Sequence, residues 1–187
     1  MMNAALKVFA MNGYRRASTD DIVAEAAISK GLLFHYFESK IGLYSFIYDY
    51  SVRYMTLELT TLVGSRETDL FQIVRMVELA RLQVLRNYPY MQQFLNRAMQ
   101  EDVSEALLAI EEKKNAYTDT VDKLYEQADM TRFGKGTDGL MVRKIIDFTI
   151  QGLMSEHLLE GSYNPEMLYE EIGNYLDLLK KAMYQDE

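Results

Sequence analysis

Ser18-Thr-Asp-Asp-Ile-Val-Ala-Glu-Ala-Ala-Ile-Ser-Lys-Gly-Leu-Leu-Phe-His-Tyr-Phe-Glu-Ser-Lys40 contains three helix starts in close succession. Ser18, with Asp21 three residues on, forms a capping-box-like opening for a helix over 19–26. Ser29 caps a second short helix over 30–36, and Ser39 caps a longer one from Lys40 to about Leu62, ended by Gly64. Two short helices joined by a tight turn at Ala26–Ile28 have the proportions of a helix-turn-helix. Ile22, Val23, Ala26, Ile28, Leu33 and Phe37 fall where the small shared core needs apolar or small residues. Gly31, with no side chain, lets the start of the second helix come close to a nucleic-acid backbone.

Outside this stretch the pattern stays helical. Apolar residues recur at spacings of three and four, and the chain has only two prolines, Pro89 and Pro165. The pattern predicts a first helix over 1–12, with Ala5, Val8 and Phe9 inward and Gly13 just past its end. Asp69 opens a helix to about Asn87, and Pro89 starts another to about Met99. Residues 101–130 read as one long helix, Gly134–Gly139 as a loop, and 138–160 and 165–184 as the last two helices. The expected fold class is all-α: a three-helix head over 1–45 and a larger helical body over 46–187.

Charge is divided along the same line. The chain carries a formal net charge of −8, which alone argues against nonspecific nucleic-acid binding. Residues 1–48 hold five basic residues (Lys7, Arg15, Arg16, Lys30, Lys40) against four acidic ones, so the acid excess lies in the body. A near-neutral head on an acidic body presents only the head to a polyanion. No cysteine is present, which excludes disulfides, thiolate nucleophiles and Cys-ligated zinc. Apolar runs such as Ile41–Tyr48 are far shorter than the roughly 20 residues of a membrane span. No secretory signal is read at the start, and a soluble, cytoplasmic protein is expected.

The head closely resembles the N-terminal domain of the TetR family of bacterial regulators. The shared pattern is Ser18-Thr19, Ile22-Val23, Ala27-Ile28-Ser29, Lys30-Gly31, Leu33-Phe34, His35-Tyr36-Phe37 and Ser39-Lys40, preceded by Ala4-Ala5, Phe9 and Asn12-Gly13-Tyr14. It covers roughly residues 4–44. The resemblance implies double-stranded operator DNA as partner and assigns roles by position. Thr19 would meet a phosphate at its helix N-terminus. Ser29, Lys30 and Gly31 would lie at the groove edge, and Leu32 and His35 would face the bases. Tyr36 would reach a phosphate, and Lys40 would hold the backbone. Phe34 stands where a Tyr hydroxyl commonly meets phosphate, so that hydrogen bond is lost. Ala27 stands where the family prefers Gly, which would strain a left-handed turn. Leu32 replaces a frequently polar residue and suggests an apolar contact, such as a thymine methyl. The chain begins almost at the first helix, so the basic arm of some relatives is expected to be absent or removed.

A head this small binds sequence-specifically as one of a pair on two half-sites, so a homodimer is expected. In 138–160, Met141, Ile145, Phe148 and Gly152 form one stripe, and Val142, Ile146, Ile150 and Leu153 another. In 165–184, Leu168, Ile172, Tyr175, Leu176, Leu179 and Met183 form a broad apolar face. Two stripes on one helix suggest two burial partners, its own core and a second subunit. The resemblance implies the same four-helix interface. It also implies a small-molecule effector, for which Met76, Tyr88, Met91, Phe94, Met99, Tyr117 and Phe148 are candidate lining residues, alongside the bland reading that they are core.

Enzymatic readings find little support, and no cofactor, metal or catalytic residue is expected. His157 has Glu156 and Glu160 nearby, but Met154 breaks the Glu-x-x-His pattern of di-iron bundles. Gly134-Lys135-Gly136-Thr137 lacks the phosphate-loop spacing because residue 129 is Asp. The competing class is a helical adaptor that uses the head to bind protein.

Overall fold

The computed structural model describes residues 1–134, 136–159 and 164–184, excluding the side chains of Leu158 and Leu159. Lys135 of the Gly134–Thr137 stretch and Glu160 beside His157 lie outside the described residues. Among those described, the helices are α1 (Met2–Arg16), α2 (Thr19–Ala26), α3 (Lys30–Phe37), α4 (Lys40–Leu62), α5 (Leu70–Asn87), α6 (Met91–Met99), α7 (Ser104–Ile110), α8 (Ala116–Tyr125), α9 (Gly139–Leu159) and α10 (Pro165–Met183). Their one β-type pairing is a single bridge between Phe133 and Tyr184.

Side-chain caps open many of these helices, each worth about 1 kcal/mol. Ser29 Oγ accepts from the Leu32 N–H at 3.2 Å, and Ser39 Oγ from the Gly42 N–H at 3.0 Å. Asp69 Oδ1 accepts from Phe71 and Gln72, and Asn164 Oδ1 from Glu166 and Met167 ahead of Pro165. Ser18 also caps, but through the Asp20 N–H at 3.1 Å, a bond that does not involve the expected Asp21.

The chain divides into two compact units, one of residues 1–60 with 83–121 and one of residues 61–82 with 122–187. In the first, Phe9 is fully buried, with its ring centroid 5.0 Å from Tyr44 and 6.1 Å from Phe94 of α6. Leu6, Ile22, Leu33, Leu43 and Ile47 join it, and Val23, Ile28 and Phe37 pack on its edge. At roughly 1.5–3 kcal/mol per buried large apolar side chain, this shared core is what holds α2 and α3 on α1 and α4. In the second unit, Phe71, Val74 and Val77 of α5 are buried, as are Val142, Ile146, Ile150 and Leu153 of α9 and Leu168, Ile172 and Leu176 of α10.

Four expectations are corrected. Gly13 breaks the first helix where expected, at φ 68°, ψ 174°, but helical structure does not stop there, and a further turn follows to Arg16. Pro89 lies in a turn, and α6 starts two residues later behind Tyr90. Gly139, where the expected loop and the expected helix over 138–160 overlapped, belongs to the helix as the first residue of α9. Residues 101–130 are not one helix but α7, a 3₁₀ turn at Glu111–Lys113, and α8. Two carbonyls around that break are taken by hydroxyls of α4: Ser45 Oγ donates to the Ala109 carbonyl at 3.1 Å, and Tyr48 Oη donates to that of Lys114 at 3.1 Å. Tertiary hydrogen bonds thus occupy acceptors around the interruption of the α-helical ladder.

Candidate nucleic-acid interface

The turn between α2 and α3 occupies residues 27–29, one position later than expected. Ala27 adopts φ 51°, ψ 44°, the left-handed conformation. Its N–H donates to the Ala24 carbonyl at 3.2 Å, and the next N–H, of Ile28, donates to that of Val23 at 3.1 Å. These bonds close α2 and reverse the chain, with Cβ strain on the order of 1 kcal/mol at Ala27. Ser29 then returns to extended backbone and caps α3.

On α3, Leu33 is fully buried and Phe34 and Phe37 pack against the core. Leu32, His35 and Tyr36 share the opposite face, at the i, i+3, i+4 spacing that puts residues together on a helix. Leu32 is 43% exposed and Tyr36 65%. The His35 and Tyr36 rings lie 5.3 Å apart, edge to face. A Cβ built on Gly31 would meet only Ser29 Oγ, at 4.0 Å. Packing within the head does not require a glycine there.

The charged groups differ in how firmly they are held. Lys30 Nζ lies 2.7 Å from Asp20 Oδ1, with both side chains more than half exposed. Such a surface pair contributes about 0–1 kcal/mol, so Lys30 can exchange Asp20 for another anion at little cost. Lys7 is paired with Glu25 at 2.7 Å, and that carboxylate raises its pKa. Thr19 is half-buried at the first position of α2, where Ser18 does the capping and leaves the Thr19 hydroxyl without that duty. Lys40 points inward: Nζ donates to the Tyr14 carbonyl at 2.9 Å and to that of Ala17 at 3.2 Å.

One residue of the head escaped the sequence reading. A Cβ on Gly42 would collide with the Phe37 carbonyl oxygen, so this glycine lets the start of α4 fold tightly against the end of α3. The available signal was a glycine two residues into a helix, a position with no propensity reason to hold one.

On α9 the two sequence stripes separate as expected. Val142, Ile146, Ile150 and Leu153 face the unit's own core. Met141 (61% exposed), Ile145 and Phe148 (69%) face outward with Leu140 and Gly152. On α10, Leu168 and Ile172, expected at the interface, are buried within the unit, and Leu179 is half-buried. Tyr175 and Leu178 form the exposed part.

The seven expected pocket residues lie in different local settings. Met91 and Phe94 are core residues of the first unit, and Tyr88 packs on Tyr50 and Tyr54 with ring centroids 5.7 and 5.0 Å away. Phe148 belongs to the exposed face of α9, and Met76 is half-buried on α5. Met99 and Tyr117 share a cleft, of about 70 Å³, with Tyr48, Leu95, Asn96, Lys114 and Thr118. Ligand pockets usually measure roughly 300–1,000 Å³, so this cleft would have to widen to admit a drug-sized molecule. No described helix is long and apolar enough to cross a membrane.

Residues 1–45 match the family model of bacterial regulatory proteins, tetR family. None of the curated proteins matches the chain in sequence. Among solved structures the chain is similar to the fatty acid degradation regulator FadR from Bacillus halodurans, at 17% identity over 94% of this chain and 95% of that one, with a TM-score of 0.64. It is similar to the TetR family transcriptional regulator PfmR from Thermus thermophilus, at 17% identity over 96% of each chain and a TM-score of 0.63. It also resembles the transcriptional regulator FadR from Bacillus subtilis, solved in complex with stearoyl-CoA, at 16% identity over 98% of this chain and 97% of that one, with a TM-score of 0.63. At these identities the likeness is one of fold.

Proposed function

Through its N-terminal residues the chain belongs to the TetR family of DNA-binding transcriptional regulators, and from that premise we propose a ligand-released repressor that grips a palindromic operator as a homodimer. The observation that carries this reading is the outward face of α3. Leu32, His35 and Tyr36 stand exposed on one side of a helix whose other side is anchored by buried Leu33. In this role Leu32 and His35 read base edges, Tyr36 and Thr19 hold phosphates, and Lys30 leaves Asp20 for the DNA backbone. Ser29 and Gly31 let the helix N-terminus come close. Phe34 supports the face from the core side.

Two such heads must be joined, and the outward stripe of α9 with Tyr175 and Leu178 of α10 supplies an apolar surface for a second copy. Release follows from linkage. An effector that binds better to the conformation with misplaced heads lowers DNA affinity by its differential affinity for the two states. Helix α4 is the mechanical link from the head, and the cleft at Met99 and Tyr117 is the starting point for effector contact. The stearoyl-CoA held by the B. subtilis neighbour makes a long-chain acyl-CoA the first effector to try.

The test is a mobility-shift assay on the DNA upstream of the chain's own gene, followed by site selection from a random-sequence pool. A salt-sensitive, sequence-selective shift on a two-fold symmetric site is expected, weakened by stearoyl-CoA. Selection that enriches no sequence would overturn the regulator reading and favour a protein-binding head. Enrichment without an effect of stearoyl-CoA would remove only that ligand.

A further inference from the structure

The kink at Gly13 leaves α1 ending in a short turn that cannot satisfy its own last carbonyls. Two of these, on Tyr14 and Ala17, accept hydrogen bonds from the Lys40 ammonium at 2.9 and 3.2 Å. The same ammonium lies 4.3 Å from the centroid of the Tyr14 ring. An ammonium has three N–H donors. Two are given to carbonyls, and the charge rests on an aromatic face.

The sequence position of these partners matters as much as the distances. Ala17 immediately precedes the Ser18 cap of α2, and Lys40 immediately follows the Ser39 cap of α4. The bond from Lys40 to Ala17 therefore ties the two ends of the helix-turn-helix, residues 18–39, to each other. Tyr14 is held from its other side as well. Its N–H donates to Glu101 Oε2 at 3.0 Å, and its hydroxyl donates to Glu105 Oε2 at 2.9 Å. A continuous set of contacts thus runs from the start of α4, through Tyr14, to Glu101 before α7 and Glu105 in its first turn.

We propose that Lys40 is a positioning residue that closes the helix-turn-helix on itself and fixes the presentation of α3, and is not one of the phosphate ligands. The proposal rests on the DNA-binding reading of the head. Lys30 is the contrasting case, a solvent-exposed lysine paired with the still more exposed Asp20. With two N–H groups and the ring face already engaged, Lys40 could turn its charge fully to a DNA phosphate only by leaving these partners. For Lys40 that would open both ends of the motif at the moment its geometry is needed.

The experiment uses the full chain and the duplex recovered by random-site selection with the wild type, with an unselected mixed-sequence duplex for comparison. Affinities are measured across salt concentration for the wild type, Lys40→Met, Lys40→Arg and Lys30→Ala. Each lost phosphate contact reduces the slope of log K against log salt by about 0.9. Lys30→Ala is expected to lose slope on both duplexes. Lys40→Met is expected to keep the wild-type slope, lose at least about tenfold in affinity for the selected duplex, and lose much less on the mixed one. Lys40→Arg, which keeps charge and donors, should recover part of the selectivity. A loss of slope in Lys40→Met equal to that in Lys30→Ala would overturn the proposal.

If Lys40→Met does not fold, the wild type decides through ¹⁵N-labelled lysine ammonium resonances. A Lys40 signal that exchanges slowly with solvent and stays in place when the selected duplex is added supports the internal role. A signal that exchanges like that of Lys30, or moves with it on binding, overturns it. A wild type with no salt-sensitive binding would instead remove the DNA-binding reading, and the proposal with it.

Discussion

Lys180 carries its ammonium to 2.7 Å from Oδ2 of Asp69, the residue whose other oxygen caps α5. Arg132 reaches the same Oδ2 at 3.0 Å, and the Tyr184 hydroxyl donates to Oδ1 at 3.1 Å. One buried carboxylate therefore joins the start of α5 to the end of α10. Burial pushes its pKa up, but the hydrogen bonds from Lys180, the Gln72 N–H and Tyr184 outweigh that and hold it below the ordinary value of 3.8. A depressed carboxylate contributes stability that is fully present above its unfolded pKa and is lost as pH falls through the folded one. The melting temperature is expected to hold from neutral pH down to about 5 and to fall below about 4. Asp69→Asn should cost about 2 kcal/mol at pH 7 and shrink the difference from wild type in acid. Circular-dichroism melts across pH check both. A variant that stays equally less stable at every pH would count against the charge assignment.

Ala27 sits at φ 51°, ψ 44° with its side chain exposed. Glycine removes the Cβ conflict but adds freedom to the unfolded chain, and the first effect is the larger in the left-handed region. Ala27→Gly is therefore expected to stabilise the protein by up to about 1 kcal/mol, an outcome opposite to that of the same change inside α2 or α3. Urea unfolding of the two kinds of variant gives the comparison, and a destabilised Ala27→Gly would refute the strain.

The helix starts were legible because a cap is a local event. Ser29 and Ser39 bond to N–H groups within three residues of themselves, so the signal lies in the same few letters of sequence. The two stripes of α9 were legible for a related reason, since a period sorts Ile146 from Phe148 without reference to the rest of the chain. The break after Ile110 was not, because Ser45 and Tyr48 lie more than 60 residues from the carbonyls they engage. The inward turn of Lys40 was hidden in the same way. Its partners are carbonyls at the end of α1, 26 and 23 residues back in the sequence, and the motif alone gives a lysine at a helix start, which reads as a phosphate ligand. The pocket residues are a different case. Met and Tyr are used in cores as readily as in cavities, and composition does not separate Met91, which is fully buried, from Met99, which lines a cleft.

Gly42 offers a test of how tightly α3 is joined to α4. An added methyl group would overlap the Phe37 carbonyl oxygen, which belongs to the last turn of α3 and cannot move without it. Gly42→Ala is expected to destabilise the protein by about 1–3 kcal/mol, although alanine is the better helix former. Denaturant unfolding measures the cost. A variant as stable as wild type would mean that α3 can shift freely, against its anchoring by Leu33.

Phe148 is 69% exposed and Met141 61% exposed on the same face of α9, with Leu140 beside them. A face of this kind on a single chain invites a partner, because each large apolar side chain removed from water contributes roughly 1.5–3 kcal/mol. If a second copy covers it, a charge at Phe148 must be buried in an apolar interface, once from each subunit. Phe148→Glu is then expected to weaken dimerisation by at least about a hundredfold, or about 3 kcal/mol. Helix content and melting of the dissociated chain should change little, since Phe148 takes no part in the core formed by Val142, Ile146 and Ile150. Sedimentation velocity over a concentration series separates the two effects. DNA affinity should fall in parallel, because a lone head holds one half-site only. A Phe148→Glu variant that remains dimeric at micromolar concentration would exclude this face of α9 from the interface.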